Sequence, residues 1–217
     1  MTAMSTSEQS PPAPVTDGRL LRGARSRQAV LRRAVDLASL DGLEGLSLGR
    51  LAAELSISKS GVQTLFGSKE KLQAATVEAA RRLFHDAVVA PASGVPQGAA
   101  RVRALVERWI DYAREPLFTG GCFWAANLAD FDSRPGRVHD ALFGSRQEWR
   151  DLLAAELSAA ADAGEIVELD AAFAAFQIDA VLLAANTALR TGDTDPDLVA
   201  DRIRRTVEAF LAEPARG

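Results

Sequence analysis

Apolar residues recur at the spacing of α-helices along almost the whole of this chain, and this periodicity constrains the fold most. A clear example is the run Val30, Leu31, Ala34, Leu37 and Ala38, which places its side chains on one helical face. No segment alternates apolar and polar residues over the length of a strand, so we expect no sheet. With 47% apolar residues among 217, the chain is able to bury a core. We therefore predict an all-α protein.

Capping residues and breaks divide the first third of the chain into three short helices. Asp41-Gly42 supplies the end of the first helix. Ser47 and Ser58 are suited to cap the second and third, because a serine hydroxyl accepts a hydrogen bond from the free N–H groups of the first turn. The third helix is predicted to end at about Phe66.

The N-terminal residues lack the large apolar side chains that would offset the entropy of ordering them. Residues 1–25 are therefore predicted to form a disordered tail. Its arginines between residues 19 and 27 either form an arm that enters a minor groove or remain a solvated tail.

Longer helices are predicted for the remainder of the chain. Ser68 begins a helix that is expected to reach about Val89, and the Pro- and Gly-containing stretch 91–96 predicts a linker. An amphipathic helix follows around Trp109. Further helices are predicted at about residues 121–131, 135–163, 170–190 and 196–212.

Charge is distributed unevenly along the chain, whose net charge is -4. Residues 1–75 carry ten basic and seven acidic side chains, whereas residues 76–217 carry fifteen and twenty-two. All three lysines, Lys59, Lys69 and Lys71, lie within thirteen residues of each other. A local basic patch on an acidic protein is typical of a contact with nucleic acid.

The segment from Ser47 to Leu72 has the features of a helix-turn-helix. This motif needs a small residue where the second helix crosses the first, a tight turn, and an apolar residue that plugs the shared core. Ala52, Ser56 and Ile57 occupy these positions. If Ser56 adopts the left-handed conformation, it costs about 1 kcal/mol. Residues 26–72 are predicted to form the helix-turn-helix domain.

The second helix of this motif would offer a short polar face to the major groove. Gly61 allows the backbone to approach phosphates closely, while Val62 and Phe66 point inward. The residues of the polar face are Lys59, Ser60, Gln63 and Thr64.

This segment resembles the DNA-binding domain of the tetracycline-repressor family, and the run Phe66-Gly67-Ser68-Lys69-Glu70 carries the match. The resemblance covers residues 26 to about 75. It implies that Ser47, Arg50 and Lys69 contact phosphates, that the polar face contacts bases or backbone, and that the partner is double-stranded operator DNA. The usual aromatic and histidine of the recognition helix are replaced by Gln63 and Leu65, so the operator preference does not transfer.

Residues 73–217 are predicted to form a ligand-binding and dimerisation domain. One recognition helix offers too few base contacts, so helix-turn-helix proteins generally pair, with recognition helices about 34 Å apart. The apolar helix at about 170–190 and the last helix are candidates for the homodimer interface, with burial inside one chain as the alternative.

Aromatic residues concentrate in the middle of this domain, and a few amides interrupt its apolar helices. A largely apolar pocket with a few placed polar groups is typical of a small-molecule site. We predict an uncharged or weakly polar effector, with plain core packing as the alternative for each residue. The predicted lining residues are Trp109, Trp124, Asn127, Trp149 and Gln177.

Neither catalysis nor metal or cofactor binding is predicted. His85 and His139 have no further ligand at a metal-binding spacing, and Cys122 is either a packed side chain or a redox-sensing thiol. No membrane span or secretory signal is expected, so we predict a cytoplasmic protein. Two other functions stay open: a ligand-binding helical protein with weakened DNA binding, and a DNA-binding regulator without a ligand.

Overall fold

The computed structural model describes residues 17–212, with side chains from residue 23 onward, and every regular element in this part of the chain is helical. The all-α prediction is therefore confirmed for these residues. The α-helices are α1 (Asp17–Asp41), α2 (Leu48–Glu54), α3 (Lys59–Phe66), α4 (Lys69–Phe84), α5 (Ala90–Ala92), α6 (Ala99–Arg114), α7 (Phe123–Phe131), α8 (Arg137–Asp162), α9 (Ala171–Thr191) and α10 (Pro196–Phe210).

The first three helices form the predicted helix-turn-helix unit. Ser47 Oγ accepts a hydrogen bond from the Arg50 amide at 3.1 Å, and Ser58 Oγ accepts one from the Gly61 amide at 3.0 Å. Both serines therefore cap α2 and α3 as predicted. The core that these helices share includes Val30, Ala34, Leu37, Leu51, Val62 and Phe66.

The first helix begins earlier than the sequence predicts. α1 starts at Asp17, so residues 17–25 are helical, and the expectation of a disordered tail up to residue 25 is wrong for them. Residues 24–29 are exposed, so burial does not hold this segment. Adding residues to a helix that has already nucleated costs little free energy, and Leu, Arg and Ala are good helix formers. The arginine positions between 19 and 27 lie on this helix rather than on an extended arm, while residues 1–16 lie outside the described part.

α4 connects the helix-turn-helix unit with the rest of the described structure. It packs on α1 and on α8, and it continues through a π-helical turn at His85–Val89 into α5. The helical segment therefore ends at Ala92, three residues beyond the predicted end at Val89. Such π-turns inside helices are often found at functional sites.

α8, α9 and α10 form the main part of the C-terminal bundle. Among the described residues, α9 is the one helix that is long and apolar enough to cross a membrane. Its buried face packs inside the bundle and includes Asp179, whose carboxylate accepts a hydrogen bond from Arg146 Nε of α8 at 2.8 Å. We therefore interpret α9 as a core helix of the bundle.

Two carboxylates close the N-terminus of α6. Glu156 Oε2 accepts from the Gly98 amide and Glu165 Oε2 from the Ala99 amide, both at 2.9 Å. Arg101 Nη1 donates to the other oxygen of Glu156 at 3.1 Å. Negative charge near a helix N-terminus is favourable because it complements the helix dipole. These contacts fix α6 against α8, which carries Glu156.

Candidate DNA-binding face and ligand cavity

The turn between α2 and α3 is closed by the main chain. Ile57 N donates to the Ala52 carbonyl oxygen at 2.9 Å, and Ser56 has a φ of 53°, which is the left-handed region. The predicted cost of about 1 kcal/mol at Ser56 therefore applies. Ala52 is buried as predicted, but Ile57 is 41% exposed. The prediction that Ile57 plugs the shared core is wrong, and the buried apolar side chains beyond the turn are those of Val62 and Phe66.

The polar face of α3 points to solvent. Val62 and Phe66 are buried on the opposite face, which orients the helix on the domain. Gly61 is half-buried, and a Cβ at this position would meet only the Ser58 hydroxyl, at 3.1 Å. The backbone is therefore open to an approaching group here. The exposed side chains of this face are the predicted set of Lys59, Ser60, Gln63 and Thr64.

Most polar groups on this face already have partners on α3 or in the residues that cap it. Thr64 Oγ1 donates to the Ser60 carbonyl oxygen at 2.9 Å, and the Gln63 amide donates to the Gly67 carbonyl oxygen. The Lys59 ammonium, in contrast, has no ion pair with any residue that the structure describes. Lys59 is therefore the cation of this face that is most available to an external anion.

The three predicted phosphate contacts lie beside α3. Ser47 is occupied as the cap of α2, and the Arg50 guanidinium pairs with Asp41. Lys69 Nζ donates to the Glu44 carbonyl oxygen at 2.8 Å and lies 3.3 Å from its carboxylate. A phosphate that engages Arg50 or Lys69 would therefore compete with a carboxylate of the same domain.

A cavity of about 140 Å³ lies between α4, α6, α7, α8 and α9. Three of the five predicted lining residues, Trp109, Trp124 and Trp149, contribute to its wall. α4 contributes Phe84 and the π-helical turn contributes His85 and Val89, so this helical segment reaches from the cavity to the helix-turn-helix unit. The wall also includes Cys122, Leu128, Ser145, Arg146, Leu152, Asp179, Leu182 and Leu183.

The other two predicted lining residues are not in this wall. Asn127 is fully buried, and its Oδ1 accepts from the Leu43 amide at 2.6 Å. Its Nδ2 donates to the Phe123 carbonyl oxygen at 2.7 Å and to the Ala38 carbonyl oxygen at 3.2 Å. The main chain thus satisfies this amide, which joins α7 to α1. Gln177 lies half-buried on α9, outside the cavity wall.

The loop before α7 is fixed to α1 by further polar contacts, and we call this contact region the α1 latch. Thr119 donates its amide and its hydroxyl to Asp36 Oδ1, at 2.9 and 2.5 Å, and the Gly120 amide donates to Ser39 Oγ at 2.9 Å. Burial raises the pKa of the Asp36 carboxyl, but the Thr119 hydrogen bonds and the Arg33 charge outweigh it and lower the pKa. Asp36 is therefore ionised at neutral pH and holds the loop.

The sequence analysis did not predict two features of the cavity wall. Asp179 and Arg146 form a buried ion pair at the wall, and burial raises the pKa of the Asp179 carboxyl although Arg146 opposes the shift. A lone aspartate within the apolar α9 was the available signal. Cys122 also lines the cavity, and burial raises the pKa of its thiol. This environment disfavours the thiolate that redox sensing requires.

One face of α9 is apolar and has no partner within the described residues. Phe173 is 56% exposed and Phe176 is 50% exposed. Ala180 and Ala184 continue the same exposed face along the helix. Exposed aromatic and small residues on one helical face are typical of a surface that packs on another protein.

Comparison with known proteins matches the C-terminal part of the chain to a family model. The model describes a tetracyclin repressor-like C-terminal domain and matches residues 98–207, about half of the chain. No curated protein matches the chain.

Solved structures match nearly the whole chain. A TetR-family transcriptional regulator from Streptomyces coelicolor, SCO4454, is 26% identical, with 88% of this chain and 95% of that chain covered and a TM-score of 0.73. A TetR transcriptional regulator from Chloroflexus aurantiacus is 22% identical, with 88% and 94% covered and a TM-score of 0.76. AibR in complex with isovaleryl coenzyme A and operator DNA is 20% identical, with 87% and 99% covered and a TM-score of 0.67.

Proposed function

Because this chain belongs to the tetracycline-repressor family of transcriptional regulators, we propose that it is a cytoplasmic, dimeric repressor that binds operator DNA through α3 and is released by a small molecule in the cavity. The observation that carries the proposal is the solvent-facing polar side of α3, whose Lys59 has no ion pair within the described residues. A helix of this kind fits the major groove of a duplex.

The roles of individual residues in DNA binding follow from their position. Lys59 lies in the first turn of α3, the end that contacts base edges in helix-turn-helix proteins. Ser47, Arg50 and Lys69 lie near the starts of α2 and α4, where free N–H groups favour phosphate. The proposed DNA contacts are Ser47, Arg50, Lys59, Ser60, Gly61, Gln63, Thr64 and Lys69.

Replacing Lys59 with alanine is expected to weaken binding to DNA from the protein's own upstream region. If Lys59 neutralises one phosphate in each half-site, the slope of log affinity against log salt concentration falls in magnitude by about two. Fluorescence anisotropy titrations at several salt concentrations measure both quantities. Arg108→Ala on α6 is the matched control, because it removes one exposed positive charge from the other domain. Equal losses for the two variants would contradict the role of α3.

A homodimer would place two α3 helices on one face of the duplex. The exposed stripe of Phe173 and Phe176 on α9 supports an interface there, because it is apolar and remains unpaired within the described residues. Leu198 at the start of α10 is also exposed and lies on a helix that packs against α9. Helices α9 and α10 of two copies would then form a four-helix interface.

Two connections link the cavity with the DNA-binding unit. α4 carries Arg81 and Phe84 in the cavity wall and packs on α1. α7 carries Trp124 and Leu128 in the wall, and Asn127 between them binds the main chain of α1. A ligand that moves α4 or α7 would therefore change the separation of the two α3 helices. Ligand and DNA would then compete through one conformational equilibrium.

This competition is tested with compounds that bind the protein. A thermal-shift screen of small aromatic compounds identifies them, since a ligand that binds only the native state raises the melting temperature. Each compound that binds the DNA-free conformation more tightly than the DNA-bound one is expected to weaken operator binding. The operator affinity is measured by fluorescence anisotropy at a saturating concentration of the compound. Equal operator affinity with and without every bound compound would refute release by a ligand.

A further inference from the structure

All three tryptophans of the chain line the cavity. Phe84 packs edge-on between two of them, with ring centroids 5.1 Å from Trp124 and 5.4 Å from Trp149. Aromatic rings pair favourably with a further ring in edge-on or offset-stacked arrangements. The wall is therefore suited to an aromatic ligand.

One polar atom of a cavity-lining residue, the indole nitrogen of Trp124, has no partner among the described residues. The indole nitrogen Nε1 of Trp124 is buried and forms no hydrogen bond with the described residues, and Trp124 as a whole is only 8% exposed. Buried donors almost always have an acceptor, because leaving one unpaired costs free energy. An acceptor on a bound molecule would supply the missing partner.

The charged side chains that line the cavity, in contrast, already have ion-pair partners. Arg146 pairs with Asp179 at 2.8 Å, and Arg81 pairs with Glu78 at 2.9 Å and with Glu148 at 3.2 Å. A charged ligand would have to disrupt one of these pairs to gain a counter-charge. The electrostatics therefore favour a neutral ligand.

The size of the cavity limits the ligand further. An apolar cavity of about 150 Å³ is known to bind benzene, and this cavity has about 140 Å³. We propose that the effector is a small, neutral, single-ring aromatic compound whose oxygen acceptor takes the hydrogen bond from Trp124 Nε1. This inference rests on the proposed ligand-responsive function and specifies the chemical class of the ligand.

The test uses two probes of the same shape, acetophenone and isopropenylbenzene, which differ by an oxygen in place of a CH₂ group. Their dissociation constants are measured by intrinsic tryptophan fluorescence, since every tryptophan lies in the cavity wall. Wild type is expected to bind acetophenone about tenfold more tightly, because one hydrogen bond is worth about that factor. Trp124→Phe keeps an aromatic ring without the N–H and is expected to reduce the preference to about one. Arg108→Ala, an exposed substitution on α6 outside the cavity wall, is the control and is expected to keep it.

A second measurement needs no variant. In protein labelled with ¹⁵N at the indole nitrogen, acetophenone is expected to shift one of the three N–H signals to lower field, and isopropenylbenzene is not. Equal affinities in wild type, a preference that survives in Trp124→Phe, or no binding of either probe would each overturn the proposal. Because neither measurement involves DNA, these outcomes are separate from a failure of operator binding.

Discussion

Replacing Glu156 with alanine is expected to lower the free energy of unfolding by about 2–4 kcal/mol, because it removes a buried carboxylate that accepts two hydrogen bonds and leaves the Gly98 amide unpaired. Glu156 is 3% exposed, and its two oxygens accept from Arg101 and from the Gly98 amide. The substitution removes the contact that holds the start of α6 against α8.

A second glutamate on α8 provides the control for this prediction. Glu148 is exposed, and its ion pair with Arg81 lies at the protein surface. Because exposed pairs of this kind contribute little, Glu148→Ala is expected to lower the free energy of unfolding by no more than about 1 kcal/mol. Urea denaturation of wild type and both variants at one protein concentration measures the difference. Similar stabilities for the two variants would show that Glu156 does not hold α6.

Replacing Gly120 with alanine is expected to destabilise the protein by about 3 kcal/mol, because a Cβ would overlap the main chain of α1. The added carbon would clash with the Ser39 carbonyl oxygen and lie 2.6 Å from the Leu40 amide nitrogen. Main-chain atoms cannot rotate away, so the α1 latch would have to open. The loss of the latch is also expected to reduce operator affinity, since α1 supports the helix-turn-helix.

Gly144 provides a control of the opposite sign. It lies exposed on α8, and a Cβ there would meet no atom within 4 Å. Gly144→Ala is therefore expected to raise stability by up to about 1 kcal/mol, since alanine favours the helix. Thermal unfolding followed by circular dichroism compares both variants with wild type. A Gly120→Ala protein as stable as wild type would show that the close contact with α1 is not required.

The parts of the structure that the sequence predicts correctly depend on neighbouring residues. Ser47 and Ser58 cap helices whose first turns follow them directly, and Val62 and Phe66 mark the buried face of α3 by their spacing. Local order of this kind can be recognised without knowing the rest of the fold. The polar face around Lys59 follows from the same pattern.

The parts that it misses depend on residues far apart in the chain. From the sequence, Asn127 is a polar side chain on an apolar helix, as expected for a ligand-binding residue. In the structure its Oδ1 instead accepts a hydrogen bond from the Leu43 amide, 84 positions earlier. Glu156 caps α6 across 58 positions in the same way. Nothing in the local pattern identifies either partner. The prediction of a disordered tail up to residue 25 was wrong for a different reason. It assumed that order requires burial, whereas α1 extends back to Asp17 although residues 24–29 are exposed.

The central claim, that a paired molecule places two α3 helices in one duplex, is tested most directly by hydroxyl-radical footprinting on the protein's own upstream DNA. The proposed function predicts two protected half-sites whose centres lie about one helical turn, or about 34 Å, or a multiple of it apart. It also predicts that Lys59→Ala weakens protection of both. A single protected site occupied by a monomer, or no protection even at low salt, would contradict it.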